Sequence, residues 1–255
     1  MKYFKKKSFN LGIVLISGLL IGCGSSESKE DSGDSKEPET IQTVESAIDE
    51  ITKNGILYET VVSSLTQRVW LDRNLGASEV CTSLNDEKCY GDYYQWGRNT
   101  DGHEKHLSKT EVLAQDVSDV GHSDFISNSV KPHDWADVSF SDGSIRSFNW
   151  VKIDGTSVCP TGFRVPTMTE IEAETTDATT IVTNNTDAFN SFLKLPTGGA
   201  RSYSGSIFDQ ASEGNIWSSQ VNTTKSEYLN FDSYGAGKAY AYRGTGLNVR
   251  CIKSN

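Results

Sequence analysis

The chain contains the stretch Cys159-Pro160-Thr161-Gly162-Phe163-Arg164-Val165-Pro166-Thr167-Met168-Thr169-Glu170, which joins a cysteine to the start of a helix. Thr167 and Glu170 form a capping-box pattern, in which each side chain bonds a backbone N–H of the first turn. A helix is therefore predicted directly after Pro166. A second short helix is predicted to carry Phe189, Phe192 and Leu193 on one face. Strand-like runs follow at 228–232, 238–243 and 247–253. The C-terminal half is thus expected to hold two helices and then a group of strands.

The segment before this stretch divides into a hairpin and a polar region. Residues 56–62 and 68–71 are predicted to form two strands joined across residues 63–66. Residues 99–150 are polar, carry all four histidines and lack a sustained periodicity. An insertion of this length without regular structure is unusual in a compact domain, and such insertions are either functional or variable surface.

The first 22 residues have the pattern of a secretion signal. Lysines at 2, 5, 6 and 7 precede an apolar run over 11–21, which is too short to span a bilayer. The run ends in Leu20-Ile21-Gly22-Cys23, which resembles the bacterial lipobox, where the cysteine is acylated and becomes the new N-terminus. Cys23 is therefore predicted to be a lipidation site that anchors the chain to a membrane without spanning it. The alternative is an ordinary signal peptide followed by a chance cysteine.

The residues after the anchor are predicted to form a tether and then a short helix. Residues 23–40 comprise the lipidated cysteine and an acidic, apolar-poor stretch. Ile41, Val44, Ile48 and Ile51 recur at helical spacing, which predicts a short helix within 41–54 that ends at a turn. Gly24 follows the cysteine, and by resemblance to sorted lipoproteins this favours the outer membrane or cell surface.

Composition limits the possible partners. Hydrophobic residues make up 36% of the 255, which is enough to bury a core. Removal of the leader takes away four of the 24 basic residues, so 20 face 34 acidic ones, a net charge of −14. Such a surface excludes the basic face that nucleic acid requires. It is also repelled by anionic lipid, so the acyl chains must supply the membrane attachment.

Four cysteines remain for the domain: Cys81, Cys89, Cys159 and Cys251. In an exported protein they suggest two disulfides with three possible connectivities. The short spacing favours pairing Cys81 with Cys89, since Asn85-Asp86 can turn the chain between them. Cys159 and Cys251 would then close a loop worth about 4–5 kcal/mol. Zinc binding would need more closely spaced pairs, and neither metal nor a catalytic thiol is expected.

Six segments in order resemble one family. They are Val69–Ala77, Cys89–Arg98, Cys159–Thr167, Leu195–Arg201, Ile216–Ser219 and Val249–Lys253. Over residues 55–255 the chain resembles the Fibrobacter succinogenes major paralogous domain family, whose members are largely exported bacterial proteins, often lipoproteins, of undefined activity.

That family is similar to the C-type lectin-like superfamily. The resemblance implies an α+β fold, with two helices on small twisted antiparallel sheets, a long loop-rich insertion and adjacent chain ends. It also implies that the long disulfide links Cys159, before a helix, to Cys251 on the last strand.

The resemblance does not transfer the known chemistry of related proteins. Calcium-dependent lectins carry Trp-Asn-Asp where this chain has Trp217-Ser218-Ser219, and hydroxyls are poor substitutes in an oxygen shell for calcium. Formylglycine-generating enzymes share a segment similar to Phe163–Glu170, but they need free late cysteines. Only Cys251 is available here, and it is expected to be bonded.

Two histidine motifs are candidate sites. His103 and His106 flank Glu104 and could ligate a metal on a helix, although the polar context favours a solvated loop. His133 precedes Asp134, which would suit a catalytic triad, but no serine nucleophile can be placed against them. No cofactor is expected.

The aromatic residues supply the candidate binding surface. Tyr90, Tyr93, Tyr94 and Trp96 form a cluster that would suit stacking on sugar rings, but Tyr94 and Trp96 alternate on one strand face, which favours a place in the core. Tyr240 and Tyr242 share a strand face with Lys238, either as half-buried sheet residues or as a ligand-binding strip. Trp135 is a further candidate ligand contact.

These features predict a cell-surface lipoprotein with a non-enzymatic binding or adhesion domain. Its partners besides the membrane would be a polysaccharide or another surface protein. The alternatives are a structural envelope component without a soluble ligand and an enzyme that uses the 99–150 insertion.

Overall fold

The computed structural model describes residues 50–105, 107–137, 143–178 and 181–254. Within them the helices are α1 (Ser144–Trp150), α2 (Met168–Glu174) and α3 (Asn185–Asn190), with a 3-10 turn at Glu87–Cys89. The strands before α1 are β1 (Ile51–Lys53), β2 (Ile56–Tyr58), β3 (Thr60–Val62), β4 (Val69–Leu71), β5 (Tyr94–Gln95), β6 (Lys109–Thr110) and β7 (Phe125–Ile126). The later strands are β8 (Phe163–Arg164), β9 (Ala200–Arg201), β10 (Ile207–Phe208), β11 (Gly214–Asn222), β12 (Lys225–Phe231), β13 (Ala236–Tyr242), β14 (Gly246–Leu247) and β15 (Ile252–Lys253).

The strands form small sheets rather than one large one. Two four-stranded sheets have the orders β3-β4-β15-β8 and β10-β9-β14-β5, and a three-stranded sheet has the order β11-β12-β13. β1 pairs with β2, and β6 pairs with β7; only the latter pair of named strands is parallel. The architecture is a mixed α and β one, small antiparallel sheets with three helices, consistent with the α+β class predicted from the sequence.

Helix α2 begins where the capping box predicts. The Thr167 side chain accepts from the Glu170 N–H at 3.2 Å, and the Glu170 carboxylate accepts from the Thr167 N–H at 2.9 Å. The same carboxylate binds the Arg164 guanidinium at 2.7 Å, which ties the helix start to β8. The prediction of the helix start is therefore confirmed. It could be made from the sequence because the two residues of the capping box lie only three positions apart.

Helix α3 is shorter than the sequence predicts. Asn184 caps it by accepting from the Asp187 N–H at 3.0 Å, and the extended Ser191 ends it. Of the three predicted face residues, Phe189 is helical, whereas Phe192 and Leu193 follow the helix and pack against a core cluster. The chain turns there, with Lys194 at a positive φ of 46°.

Sheet β11-β12-β13 lies between two hydrophobic clusters. Because successive strand residues point to opposite faces, Trp217 and Tyr228 pack into one cluster while Ile216 and Leu229 pack into the other. The second cluster also contains Met168 and Ile171 of α2, and the first contains both cysteines of the 159–251 disulfide. The predicted run 247–253 is interrupted between β14 and β15 by Arg250, whose guanidinium is buried and donates to backbone carbonyls.

Both predicted disulfides are confirmed. Cys81 and Cys89 are bonded with a Cα–Cα distance of 5.1 Å, and Cys159 and Cys251 with one of 5.9 Å. Cys251 directly precedes β15, and its carbonyl accepts from the Leu71 N–H at 3.0 Å. The long disulfide therefore joins the region before α2 to the last strand.

The N-terminal hairpin is confirmed with one addition. β3 and β4 pair antiparallel, as predicted, but the first run breaks at Glu59 and its earlier half, β2, pairs with β1. The helix predicted within 41–54 is therefore wrong at residues 51–53. Asn54 and Gly55 both have positive φ, the conformation of a two-residue hairpin turn. The leader 1–22, Cys23, the tether 23–40 and residues 41–49 lie outside the described residues.

The 99–150 insertion contains regular structure, contrary to expectation. It holds β6, β7 and all of α1. Hydrogen bonds from polar side chains hold it against the core. The Gln95 amide donates to the Ile126 carbonyl and accepts from the Ile126 N–H, and the Arg98 guanidinium donates to the carbonyls of His122 and Asp124. Hydrophobic periodicity cannot reveal anchoring of this kind. In the described part of the chain, no helix is long and apolar enough to cross a membrane.

Candidate functional site

An open cleft of about 200 Å³ lies between the β9–β10 hairpin and sheet β11-β12-β13. Buried Ala200 and Leu247 belong to its lining and to the adjacent core cluster. Its aromatic lining residues are Tyr203, Phe208, Tyr228, Tyr240 and Tyr242. Its polar lining includes Glu213, Asn215 and Lys225. We call this feature the aromatic cleft.

The β9–β10 hairpin is held in place by Arg201. Its guanidinium lies 3.9 Å from the centre of the Phe125 ring and donates to the Gly205 carbonyl at 3.1 Å. Gly205 has a positive φ of 92°, which glycine adopts without strain, and Ser202 bonds the Ser206 carbonyl at 2.8 Å. Tyr203 is thereby fixed in a tight turn at the cleft.

Three rings and one ammonium form a stacked group at the Tyr242 end. The His133 ring stacks on Tyr203 with centroids 3.9 Å apart, and Tyr242 meets both rings edge to face. The Lys225 ammonium lies 4.5 Å from the centre of the Tyr242 ring. Tyr240 and Phe208, by contrast, remain 44% and 43% exposed. The cleft thus combines a fixed aromatic wall with rings that are open to solvent.

The tyrosine hydroxyls in the cleft have no hydrogen-bond partner in the described part of the chain. Those of Tyr203, Tyr228, Tyr240 and Tyr242 form no hydrogen bond with any residue that the structure describes. Burial, reinforced by the nearby Glu213 charge, raises the pKa of Tyr228 to about 12, so this hydroxyl keeps its proton. The cleft therefore presents hydroxyl groups that a ligand can bond.

Charged groups occupy opposite ends of the cleft. Glu213 lies at the start of β11 and accepts from the Asn230 amide near the end of β12 at 2.6 Å. Burial raises the pKa of Glu213, and the neighbouring Asp209 and Asp232 carboxylates raise it further. Lys225 is the first residue of β12, at the other end of the strand.

Two of the four predicted ligand contacts lie in the cleft and two do not. Tyr240 and Tyr242 line it. Lys238 is drawn towards α2, where its ammonium lies 3.8 Å from the Glu172 carboxylate. Trp135 is fully buried, and its indole N–H donates to the Trp96 carbonyl at 2.8 Å, so its assignment as a ligand contact is wrong. A buried ring cannot meet a ligand.

Asp101, His103 and Glu104 form a cluster, but the imidazole has no free nitrogen. The His103 Nε2 accepts from the Gln95 N–H at 3.1 Å, which leaves the proton on Nδ1, 2.7 Å from the Asp101 carboxylate. Burial lowers the pKa of His103 to about 4, so the ring is neutral. The expected solvated loop is wrong for His103, which is fully buried, and His106 lies outside the described residues. The arrangement favours a structural role.

The remaining sequence motifs are also used structurally. Asp134 pairs with Arg146 at 2.6 and 2.8 Å, whereas the His133 Nδ1 lies 2.9 Å from the Asn128 carbonyl, so the two do not form a catalytic pair. The hydroxyls of Ser218 and Ser219 donate to backbone carbonyls. The four residues predicted to lie in the core, Tyr90, Tyr93, Tyr94 and Trp96, are all buried, which confirms that prediction.

Sequence patterns identify only the β13 side of the cleft. Tyr203, Phe208 and Glu213 also line it but are not among the predicted ligand contacts. The available signal was the pair of aromatic residues, Tyr203 and Phe208, on either side of the Ser- and Gly-rich segment 204–206. A turn of that composition places its flanking rings at the surface.

Comparison of the chain with protein-family models, with curated proteins and with solved structures finds no match. No activity or ligand is therefore transferred from a relative. The aromatic cleft is the feature of the molecule from which a function can be argued.

Proposed function

We propose that this chain is an exported, lipid-anchored binding protein whose aromatic cleft binds a saccharide. The observation that carries the proposal is the set of tyrosine rings whose hydroxyls have no partner in the described chain. Aromatic rings offer large apolar faces with a polar edge, and sugar rings present apolar faces surrounded by hydroxyls. Specific ligand sites are concave, with apolar walls and a few polar groups that fix orientation.

The location proposed for this activity is the cell surface or outer membrane. The lipobox-like sequence ending at Cys23 supports attachment through acyl chains, and the acidic stretch after it supports a tethered domain. The small antiparallel sheets and the long disulfide support the C-type lectin-like fold implied by the family resemblance. Sugar binding here would be independent of calcium, because the serine hydroxyls at 218 and 219 already bond the backbone.

Saccharide binding is tested with the full chain, purified in detergent and titrated against a panel of oligosaccharides by calorimetry. Tyr240→Ala removes a ring that is 44% exposed in the cleft, and affinity should fall about tenfold or more, the equivalent of a buried aromatic contact. Tyr234→Ala is the matched control, since that ring is 96% exposed and does not line the cleft.

Two results would contradict the proposal. One is the absence of binding across the panel, which would favour a structural envelope role. The other is an equal loss of affinity in the Tyr234 and Tyr240 variants. Attachment is tested separately: intact-mass spectrometry of the exported protein should find acyl chains on Cys23 and the first 22 residues removed, and an unmodified N-terminus would contradict it.

A further inference from the structure

We infer that the saccharide taken by the aromatic cleft carries a protonated amine, with the Glu213 carboxylate as its counter-ion and the Tyr228 ring beside it. This inference rests on the proposed function, because it names the chemical class of ligand for the same cleft. A site that only stacks sugar rings on aromatic side chains would not require a positive charge on the sugar, whereas the site inferred here does.

Glu213 is a carboxylate without a cationic partner. It is half-buried and lines the cleft beside Tyr228. Among the described residues, no lysine or arginine forms an ion pair with it. Its carboxylate is hydrogen-bonded by the neutral side chains of Asn215 and of Asn230, the latter at 2.6 Å, and these contacts leave its charge uncompensated.

The surroundings of Glu213 strengthen the electrostatic attraction between its carboxylate and a cation. Asp209 and Asp232 act on it as like charges, and together with burial they raise the pKa of its carboxyl. A cation placed beside Glu213 would offset this repulsion. In a partly buried cleft such an attraction is stronger than it would be in bulk water.

The tyrosine rings of the cleft favour an organic ammonium group as the cation. An ammonium group is attracted to the face of a tyrosine ring, and recognition of ammonium ligands commonly uses several such rings. This molecule contains one example of that contact, since the Lys225 ammonium lies 4.5 Å from the centre of the Tyr242 ring. Tyr228 lines the cleft without a lysine or arginine over its ring among the described residues.

Lys225 does not compete for the Glu213 end. Asn230, which bonds Glu213, is five residues beyond Lys225 on the same strand, a separation of roughly 17 Å. At that distance surface charges are largely screened at physiological salt. The amine of the ligand is therefore placed at the Glu213 end and the uncharged part of the sugar towards Tyr242.

The experiment compares two ligands of equal length that differ in this charge. The full chain in detergent is titrated with a glucosamine oligomer and with its fully N-acetylated counterpart at about pH 6, below the ordinary pKa of an amine. We expect the amino oligomer to bind at least tenfold tighter. In Glu213→Gln, whose amide oxygen still accepts from Asn230, the two affinities should become equal.

Glu111→Gln serves as the matched control, because it removes one negative charge from an exposed position that does not line the cleft. It should preserve the preference for the amino oligomer. Thermal unfolding of both variants should match that of the natural chain, which excludes a general effect of misfolding.

The outcomes separate this inference from the proposed function. Equal or tighter binding of the acetylated oligomer, or an unchanged preference in Glu213→Gln, overturns the inference and leaves saccharide binding intact. Loss of the preference in Glu111→Gln as well would assign it to net charge and overturn the role of Glu213. Binding of neither oligomer, nor of any saccharide in the panel, overturns both.

Discussion

The polar interior and the aromatic cleft both combine rings with charged side chains, but their polar atoms are satisfied in different ways. The polar interior consists of Arg98, His103, Asp134, Arg146 and Arg243 around Trp96 and Trp135, all of them buried. There the Asp134 carboxylate binds two nitrogens of Arg146 and lies 3.7 Å from Arg243. In the cleft, Glu213 has no cationic partner among the described residues, and the tyrosine hydroxyls are unbonded within the described chain.

The indole groups make the contrast sharper. The fully buried indoles of Trp96, Trp135, Trp150 and Trp217 each donate to a backbone carbonyl at 2.8 to 3.1 Å. Burying a polar atom without a partner costs stability, so most interior rings find one inside the chain; the buried indole N–H of Trp70, which has no partner among the described residues, is an exception. Rings at an open cleft are solvated and can keep their hydrogen-bonding capacity for a ligand. The bonding state of the polar atoms therefore distinguishes these four buried indoles from the rings of the cleft.

Removal of the central carboxylate of the polar interior should have the largest effect. Asp134→Ala leaves the buried guanidiniums of Arg146 and Arg243 without this counter-ion and should lower the free energy of unfolding by about 3–5 kcal/mol. Urea unfolding measures it. Asp116→Ala, at an exposed position, is the control and should stay within about 0.5 kcal/mol. A similar, small loss in both variants would mean that the polar interior does not hold the fold.

The neutral His103 should make stability depend on acidity. Its folded pKa of about 4 lies below the unfolded value of about 6.5, so between these values the unfolded chain binds a proton that the folded chain does not. Stability from this group is complete above about pH 6.5 and falls as the pH drops towards 4, by about 2–3 kcal/mol at pH 4.5. His103→Gln can still donate to Asp101 and accept from Gln95, and it should lose this component.

Unfolding free energies of the natural chain and His103→Gln, measured at pH 7 and 4.5, check this prediction. Asp92 acts with the opposite sign, because burial raises its pKa to about 7 and its ionisation destabilises the fold as the pH rises. That contribution is common to both proteins and cancels in their difference. Identical pH dependence of the two proteins would show that His103 is not held neutral.

A hydroxyl of the cleft should matter least for stability. Tyr240→Phe removes a group with no partner in the described chain and should change the free energy of unfolding by less than about 0.5 kcal/mol, while weakening saccharide binding. Tyr58→Phe is the matched change in the core, where the hydroxyl accepts from the Gly76 N–H at 2.9 Å, and should cost about 1–2 kcal/mol. Equal costs at the two positions would remove the distinction between core and cleft.

Much of the fold could be predicted because its determinants are local or covalent. The capping box at Thr167 and Glu170 spans three residues, and the 63–66 turn lies between strands that pair directly. The disulfides followed from cysteine spacing. The 51–53 strand was missed because an apolar residue every three or four positions suits a helix, whereas the turn conformation of Asn54 and Gly55 selects a hairpin.

The cleft was predictable on one side only. Alternation along β13 identified Tyr240 and Tyr242, but the opposite wall comes from 203–213, whose position depends on the long-range pairing of β14 with β9 and β5. Burial of Trp135 and His103 was hidden because both lie in a polar stretch whose contacts are made by single side chains such as Gln95 and Arg98. Periodicity carries no information about such contacts.

The bond between Cys159 and Cys251 encloses every residue that lines the cleft, from Ala200 to Leu247. A protease that nicks the backbone once within this loop would release no fragment, because both pieces remain joined through sulfur. A clipped molecule would therefore migrate as a single species on a gel until a reductant separated it. The part of the chain that forms the cleft would therefore stay in one covalent unit after such a cut.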